Sequence, residues 1–224
     1  MKGFFSLENP LIQFLSLICD LMLLNVAFII SCLPVFTIGA AICGMNKACQ
    51  AIVMDDDRSV LQLYFSGFKS SFKQATVAWL ITMLVIFSLA CYWYLVTNYI
   101  RGTLAAVVLI FMVIFAVIAL SILSYLYPLI TRYTNSLREH LRNASILAIT
   151  RLFLTGFLVV MNLLPFILPL LSLQTFMQTL FVWIVVGFAF LCYLMNQLLK
   201  PIYVSLEASS KASSEDESED EEEY

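Results

Sequence analysis

The chain has 224 residues, of which 62% are hydrophobic and only 12% are charged. Soluble domains are typically about 45 to 50% apolar, so this composition excludes an ordinary soluble domain and indicates a membrane protein. The net charge of −3 combines two different regions. Residues 1–208 contain 11 Lys and Arg against 7 Asp and Glu, whereas residues 209–224 contain 1 Lys against 8 acids. The body of the chain is therefore basic, and its C-terminal tail is strongly acidic.

The first apolar segment, residues 11–32, is long enough to cross a hydrocarbon core of roughly 30 Å. We expect it to be retained as a span, not cleaved as a signal peptide. Asp20 lies near its middle, where an ionised group is costly and needs a partner. On a helical projection the polar residues share one stripe with small residues, formed by Asn9, Gln13, Ser16, Asp20, Leu24, Ala27 and Ser31. We therefore expect this stripe to pack inward.

A break at Leu33-Pro34 leads to a second apolar run, residues 37–54, which either crosses the membrane or re-enters it. Counted from the break at about 1.5 Å per residue, Asn46 reaches the depth of Asn25, and Lys47 comes near that of Asp20. We predict an intramembrane polar cluster, which Asn162 of a later span could join. Interhelical hydrogen bonds that fix the hairpin register are the favoured role. An ion or proton site is the alternative.

The rest of the chain alternates amphipathic and apolar stretches. Residues 59–74 and 131–151 read as two amphipathic cytoplasmic helices along the interface. Apolar spans are predicted at 75–98, 103–130, 152–171 and 176–199. A cytoplasmic basic surface is expected from Lys69, Lys73, Arg138 and Arg142, with anionic lipid headgroups favoured over an acidic protein partner. His140 is expected to be a solvated surface residue.

These elements predict an all-α polytopic transmembrane bundle with about six membrane segments in residues 1–207. Residues 208–224 form an acidic tail that is predicted to be disordered, because like charges repel. Basic residues gather on one side if six segments cross, which places both termini in the cytoplasm. A five-span alternative applies if residues 37–54 only re-enter. Residues 68–76 and 137–145 also look alike, which indicates either a parallel repeat or two unrelated basic helices.

Chemistry-bearing motifs are missing from the sequence. The six cysteines are scattered singly without metal-ligand spacing. We expect them to be small apolar residues of the core. No phosphate loop or nucleophile motif occurs. We therefore expect no catalytic residue, no metal, no cofactor and no nucleic-acid partner, and do not expect an enzyme.

Several residues in the first third resemble the YesL-like integral membrane proteins of bacteria: Asn9-Pro10, Asp20, Leu24-Asn25, Leu33-Pro34, Thr37-Ile38-Gly39, Phe65, Phe68-Lys69 and Phe72-Lys73-Gln74. The resemblance implies a bacterial plasma-membrane protein, often encoded beside carbohydrate ABC transporters and glycoside hydrolases. It supplies no catalytic residue. The expected role is an accessory partner of the permease or nucleotide-binding subunits of a carbohydrate ABC transport system. The alternative is a small secondary transporter or channel with a polar site around Asp20.

Overall fold

The structure, a computed structural model, describes residues 10–56, 58–99 and 102–222. The predictions for Asn9 and Arg101 therefore fall outside the described residues. The chain is all-α, as predicted, with eight α-helices in its described part: α1 (Pro10–Ser31), α2 (Ile38–Val53), α3 (Val60–Tyr99), α4 (Thr103–Arg132), α5 (Leu137–Thr150), α6 (Leu152–Ile167), α7 (Leu173–Val182) and α8 (Phe188–Glu222).

Among the described residues, six helical stretches are long and apolar enough to cross a membrane. They begin at Leu11, Val35, Val60, Thr103, Leu152 and Gln174. The second of them, Val35–Val53, is a short 3₁₀ turn followed by α2, and it is long enough for a crossing. The length and composition of the helices thus support the multi-pass architecture and the count of about six segments.

The short helix α2 is the centre of the bundle. In the apolar stretch that contains α2, 61% of the residues are buried, whereas only 22% are buried in the apolar stretch of α1. One core cluster joins α2 to α3, α4, α5, α6 and α8, and a second joins α2 to α1, α3 and α8. Small residues make this possible, because helices approach closely in lipid where side chains are small: Gly39, Ala40, Ala41, Cys43, Gly44, Ala48 and Cys49 are all buried in α2.

The first predicted amphipathic helix is not a separate interfacial element, and this expectation is wrong. Residues 60–74 are the first four turns of α3, which continues without a break to Tyr99. Forty residues span about 60 Å at 1.5 Å per residue, about twice the hydrocarbon thickness. Helix α3 therefore extends well beyond the membrane. The N-terminal part of α3 is held by packing against α2, where Gly44 touches the Tyr64 backbone.

The second predicted amphipathic stretch contains a separate helix, α5. Ser136 accepts a hydrogen bond from the Glu139 backbone N–H, and the Glu139 carboxylate accepts one from the Ser136 N–H at 2.8 Å. This reciprocal cap stops the helix from extending backward. At its other end Arg151 has φ −119° and ψ 52°, which separates α5 from α6. The two similar stretches thus differ in structure: one lies inside a continuous helix, and the other precedes a break.

The last span contains a π-helical turn, and its helix continues beyond the predicted end at residue 199. A π-helical turn, Trp183–Gly187, joins α7 to α8, and α8 runs through Pro201 to Glu222. The tail is therefore helical up to Glu222, where the sequence predicts disorder. The physical reason is continuity, because extending an existing helix avoids the cost of nucleation, and Ala and Glu are good helix formers.

Candidate functional site

Asp20 lies half-buried on the outer side of α1. Its neighbours Cys19 and Leu23 are exposed, and so are Ser16, one turn earlier, and Gln13, two turns earlier. Among the described residues Asp20 has no hydrogen bond and no ion pair. The prediction that the whole polar stripe of α1 faces inward is therefore wrong for its first half, up to Asp20. Only the second half turns toward the bundle, because close packing of α1 begins at the buried Leu21 and Leu24.

Asn25 is fully buried and bonds to the backbone of the last span. Its Nδ2 donates to the Trp183 carbonyl at 2.9 Å and to the Ile184 carbonyl at 2.7 Å. Its Oδ1 accepts a hydrogen bond from the Ala189 N–H at 3.1 Å. A π-helical turn interrupts the regular i→i−4 ladder. Asn25 satisfies both carbonyls and the N–H beside this turn, and so ties α1 to α8.

Asn46 belongs to a second buried network, which links α2, α4 and α8. Its Oδ1 accepts a hydrogen bond from Asn196 Nδ2 at 3.0 Å, and Asn196 Oδ1 accepts one from the Tyr203 hydroxyl at 2.9 Å. Gln50 Nε2 donates to the Tyr203 hydroxyl at 3.3 Å and to the Pro128 carbonyl at 3.0 Å. All four side chains are buried. This is the arrangement of an interhelical packing contact.

Lys47 points in a different direction from Asp20 and Asn25. Its ammonium lies 3.3 Å from the Ser66 hydroxyl of α3. Its aliphatic stem is packed at Gly67, where an added Cβ would lie 2.8 Å from Lys47 Cβ. Depth along the membrane was predicted from residue counts, but the rotation of α2 about its own axis turns this side chain toward α3.

Asn162 faces a cavity of about 400 Å³ between α1, α2, α3, α4, α6 and α8. Its Nδ2 donates to the Ser124 hydroxyl at 3.1 Å and to the Leu158 carbonyl at 2.9 Å. Asn46 lines the same cavity. Hydrogen bonds between the five predicted polar residues are absent from the described part of the chain. Asn46 and Asn162 share a cavity, while Asp20, Asn25 and Lys47 lie apart.

The four predicted basic residues, Lys69, Lys73, Arg138 and Arg142, are exposed and form the basic surface. Gln74 ties its two halves together, because its Nε2 donates to the Asn135 carbonyl at 2.9 Å. Within the described ranges none of the four forms an ion pair. Their charges are therefore available to a ligand or a partner.

The prediction that His140 is solvated is wrong. It is 1% exposed, on the inner side of α5 opposite the exposed Arg138 and Arg142. Burial lowers the pKa of His140, while Glu139 opposes that shift. The neutral imidazole is thus favoured at this position. The arginines on either side of His140 in the sequence suggested a solvated helix, but one face of α5 packs against the bundle.

Sequence reasoning missed three residues of the second network: Gln50, Asn196 and Tyr203. Two signals pointed to them. Gln50 follows Asn46 by four residues and so lies on the same helix face, and Asn196 is an amide in an otherwise apolar span, as Asn46 is. Tyr203 gave no such signal, because tyrosines are common near membrane interfaces.

Comparison with curated proteins and with solved structures finds no match for this chain. A family model, described as protein of unknown function DUF624, matches residues 21–93. The matched range runs from the middle of α1, through α2, into the membrane part of α3. It includes Asn25, Asn46 and Lys47 but not Asp20 or Asn162. Over about the first third of its helical bundle, this chain is thus similar to the DUF624 proteins of unknown function.

Proposed function

We propose that this chain is a YesL-like accessory subunit of a bacterial plasma membrane, which binds a carbohydrate ABC transport system and performs no catalysis itself. The observation that carries the proposal is Asp20. A charged side chain at mid-membrane costs about 2.5 to 3.5 kcal/mol on insertion scales, and such residues almost always have a partner. Asp20 has none among the described residues and sits on a membrane-facing surface. A helix of another subunit would supply the missing donor.

The basic surface supports the same proposal from the other end of the molecule. Helix α3 extends beyond the membrane, and it presents Lys69 and Lys73 beside Arg138 and Arg142. Nucleotide-binding subunits are peripheral proteins that would meet this surface, while a permease would meet Asp20 within the bilayer. The carbohydrate substrate and the bacterial setting follow from the YesL-like resemblance.

Changing Asp20 is expected to release the partner without harming the isolated chain. Both Asp20→Asn and Asp20→Leu remove the charge, so stoichiometric recovery of the permease in a mild detergent should fall to background. The melting temperature of the purified chain should stay unchanged or rise, because Asp20 bonds to neither Asn25 nor Lys47. Ser88→Leu, an exposed polar-to-apolar change on α3, is the matched control and should retain the subunits.

Two results would count against this role. If the Asp20→Asn variant still retains the permease, the charge of Asp20 is not needed for binding it. Substrate flux in liposomes that contain this protein alone, abolished by changes at Asp20, would favour the transporter alternative. Reversal of charge at Lys69, Lys73, Arg138 and Arg142 distinguishes the two contacts, since it should release nucleotide-binding subunits but leave a permease bound through Asp20.

The proposed orientation places both termini in the cytoplasm. In a cysteine-less background, a membrane-impermeant maleimide should label Thr103→Cys from outside intact cells, and label Asp56→Cys only after the cells are opened. Asp56 lies in the short connection between α2 and α3, and Thr103 is the first residue of α4. The basic surface then faces the cytoplasm, as the distribution of Lys and Arg favours. External labelling at position 56 would contradict this orientation.

A further inference from the structure

The cavity of about 400 Å³ has the size of a ligand site and a mostly apolar wall. Ligand pockets commonly enclose about 300 to 1,000 Å³. Side chains from six helices line this one, and most are apolar, such as Ile42, Leu123 and Met161. No charged side chain occurs among its described lining residues. A charged ligand would therefore lose its hydration without gaining a counter-charge.

Two hydrogen-bond donors in the wall have no acceptor. Tyr127 and Trp79 both line the cavity, and their hydroxyl and indole N–H are buried and form no hydrogen bond with any described residue. Tyr127 is only 6% exposed. The Thr82 hydroxyl, which donates to the Ala78 carbonyl at 2.9 Å, is the nearest acceptor candidate for the Tyr127 hydroxyl, but the two do not meet in hydrogen-bonding geometry. A buried donor without an acceptor is unfavourable, so an occupant with an acceptor oxygen would be favoured over a pure hydrocarbon.

The cavity opens toward lipid. Ile86 of α3 and Phe166 of α6 belong to its lining and are 50% and 70% exposed. Both lie inside apolar spans, so their exposed surfaces face acyl chains. Molecules that reach the cavity by this side must already be dissolved in the hydrocarbon of the bilayer.

We propose that this cavity binds a neutral, membrane-soluble molecule that has a hydrocarbon body and a carbonyl oxygen, which accepts a hydrogen bond from the Tyr127 hydroxyl. The apolar wall holds the hydrocarbon body, and the Trp79 N–H is a second donor for the same class of ligand. The site is independent of the proposed partner surface, because Asp20 does not line it.

A matched pair of probes tests the carbonyl directly. The full chain in lipid nanodiscs is titrated with ¹³C-carbonyl-labelled 2-dodecanone and with dodecane, which lacks only the oxygen. We expect the ketone to raise the melting temperature more than dodecane does. Its infrared carbonyl band should also shift to lower frequency when the ketone is bound, as a hydrogen-bonded carbonyl requires.

Tyr127→Phe removes the donor at constant ring volume and is expected to weaken ketone binding about five- to tenfold, the usual worth of one hydrogen bond. The band shift should shrink, and binding of dodecane should not change. Tyr94→Phe, at an exposed tyrosine outside the cavity, should behave as wild type. The melting temperature without ligand should hold for Tyr127→Phe, because the hydroxyl it removes is unpaired.

Three outcomes would overturn the proposal. The first is equal stabilisation by ketone and alkane, and the second is an unchanged band shift in Tyr127→Phe. The third is failure of both probes to bind while the protein remains folded, which would mean that the cavity holds only water.

Discussion

A Gly39→Ala variant is expected to melt at a clearly lower temperature than wild type, because α2 and α3 touch at this glycine. A Cβ built at position 39 would collide with the Ala75 carbonyl oxygen and lie 2.7 Å from Trp79 Cβ. Contacts between carbon atoms are optimal at about 3.5 to 4.0 Å. A backbone oxygen cannot rotate away, so the two helices must separate. Overpacking typically costs about 1 to 3 kcal/mol, occasionally more.

The control for this prediction is the same substitution at Gly156 of α6. A Cβ there would have no atom within 4 Å, so Gly156→Ala should leave the melting temperature unchanged or raise it through better helix propensity. The melting temperatures of the purified Gly39→Ala and Gly156→Ala variants are measured from the fraction that stays monodisperse on heating. Similar melting temperatures for the two variants would show that α2 and α3 do not meet as closely as described.

Replacing Asn25 by leucine is expected to destabilise the bundle by about 2 to 4 kcal/mol, since it removes three hydrogen bonds at constant size. The Trp183 and Ile184 carbonyls and the Ala189 N–H would lose their partner. Water cannot replace it inside the membrane domain. The loss should appear as a lower melting temperature and as loosening of the contact between α1 and α8.

Two further variants make this result specific. Asn25→Asp keeps an acceptor for the Ala189 N–H but places carboxylate oxygen against two carbonyls, so it should be at least as harmful as leucine. Asn98→Leu serves as the control, because Asn98 is exposed and its side chain bonds only within its own helix. Equal tolerance of leucine at positions 25 and 98 would mean that the π-helical turn does not depend on Asn25.

These predictions concern stability, whereas those for Asp20 and Tyr127 concern ligands and partners. The difference follows from the hydrogen bonds that each residue makes. Asn25 is satisfied within the chain, and removing it harms the fold. Asp20 and Tyr127 have polar atoms without a partner in the described structure, so changing them should spare the fold and affect what binds.

Local patterns in the sequence determined the class of fold and the positions of the spans. Long apolar runs have few ways to satisfy their backbone in lipid other than helices, so the six spans could be recognised without a structure. Asn25, Asn46 and Asn162 were also recognisable, because an amide in an apolar run needs a hydrogen-bond partner wherever it lies. The start of α5 was encoded locally by Ser136 and Glu139.

Only the tertiary structure decided which face of each helix is inside. In water the buried face is the apolar one, but lipid tails are as apolar as leucine, so hydropathy does not separate the inner face of a membrane helix from the outer one. For this reason the sequence could not show that Asp20 turns outward, that His140 turns inward, or that Lys47 faces α3. The cavity beside Tyr127 depends on six helices at once, and its existence is set by how their side chains fit together.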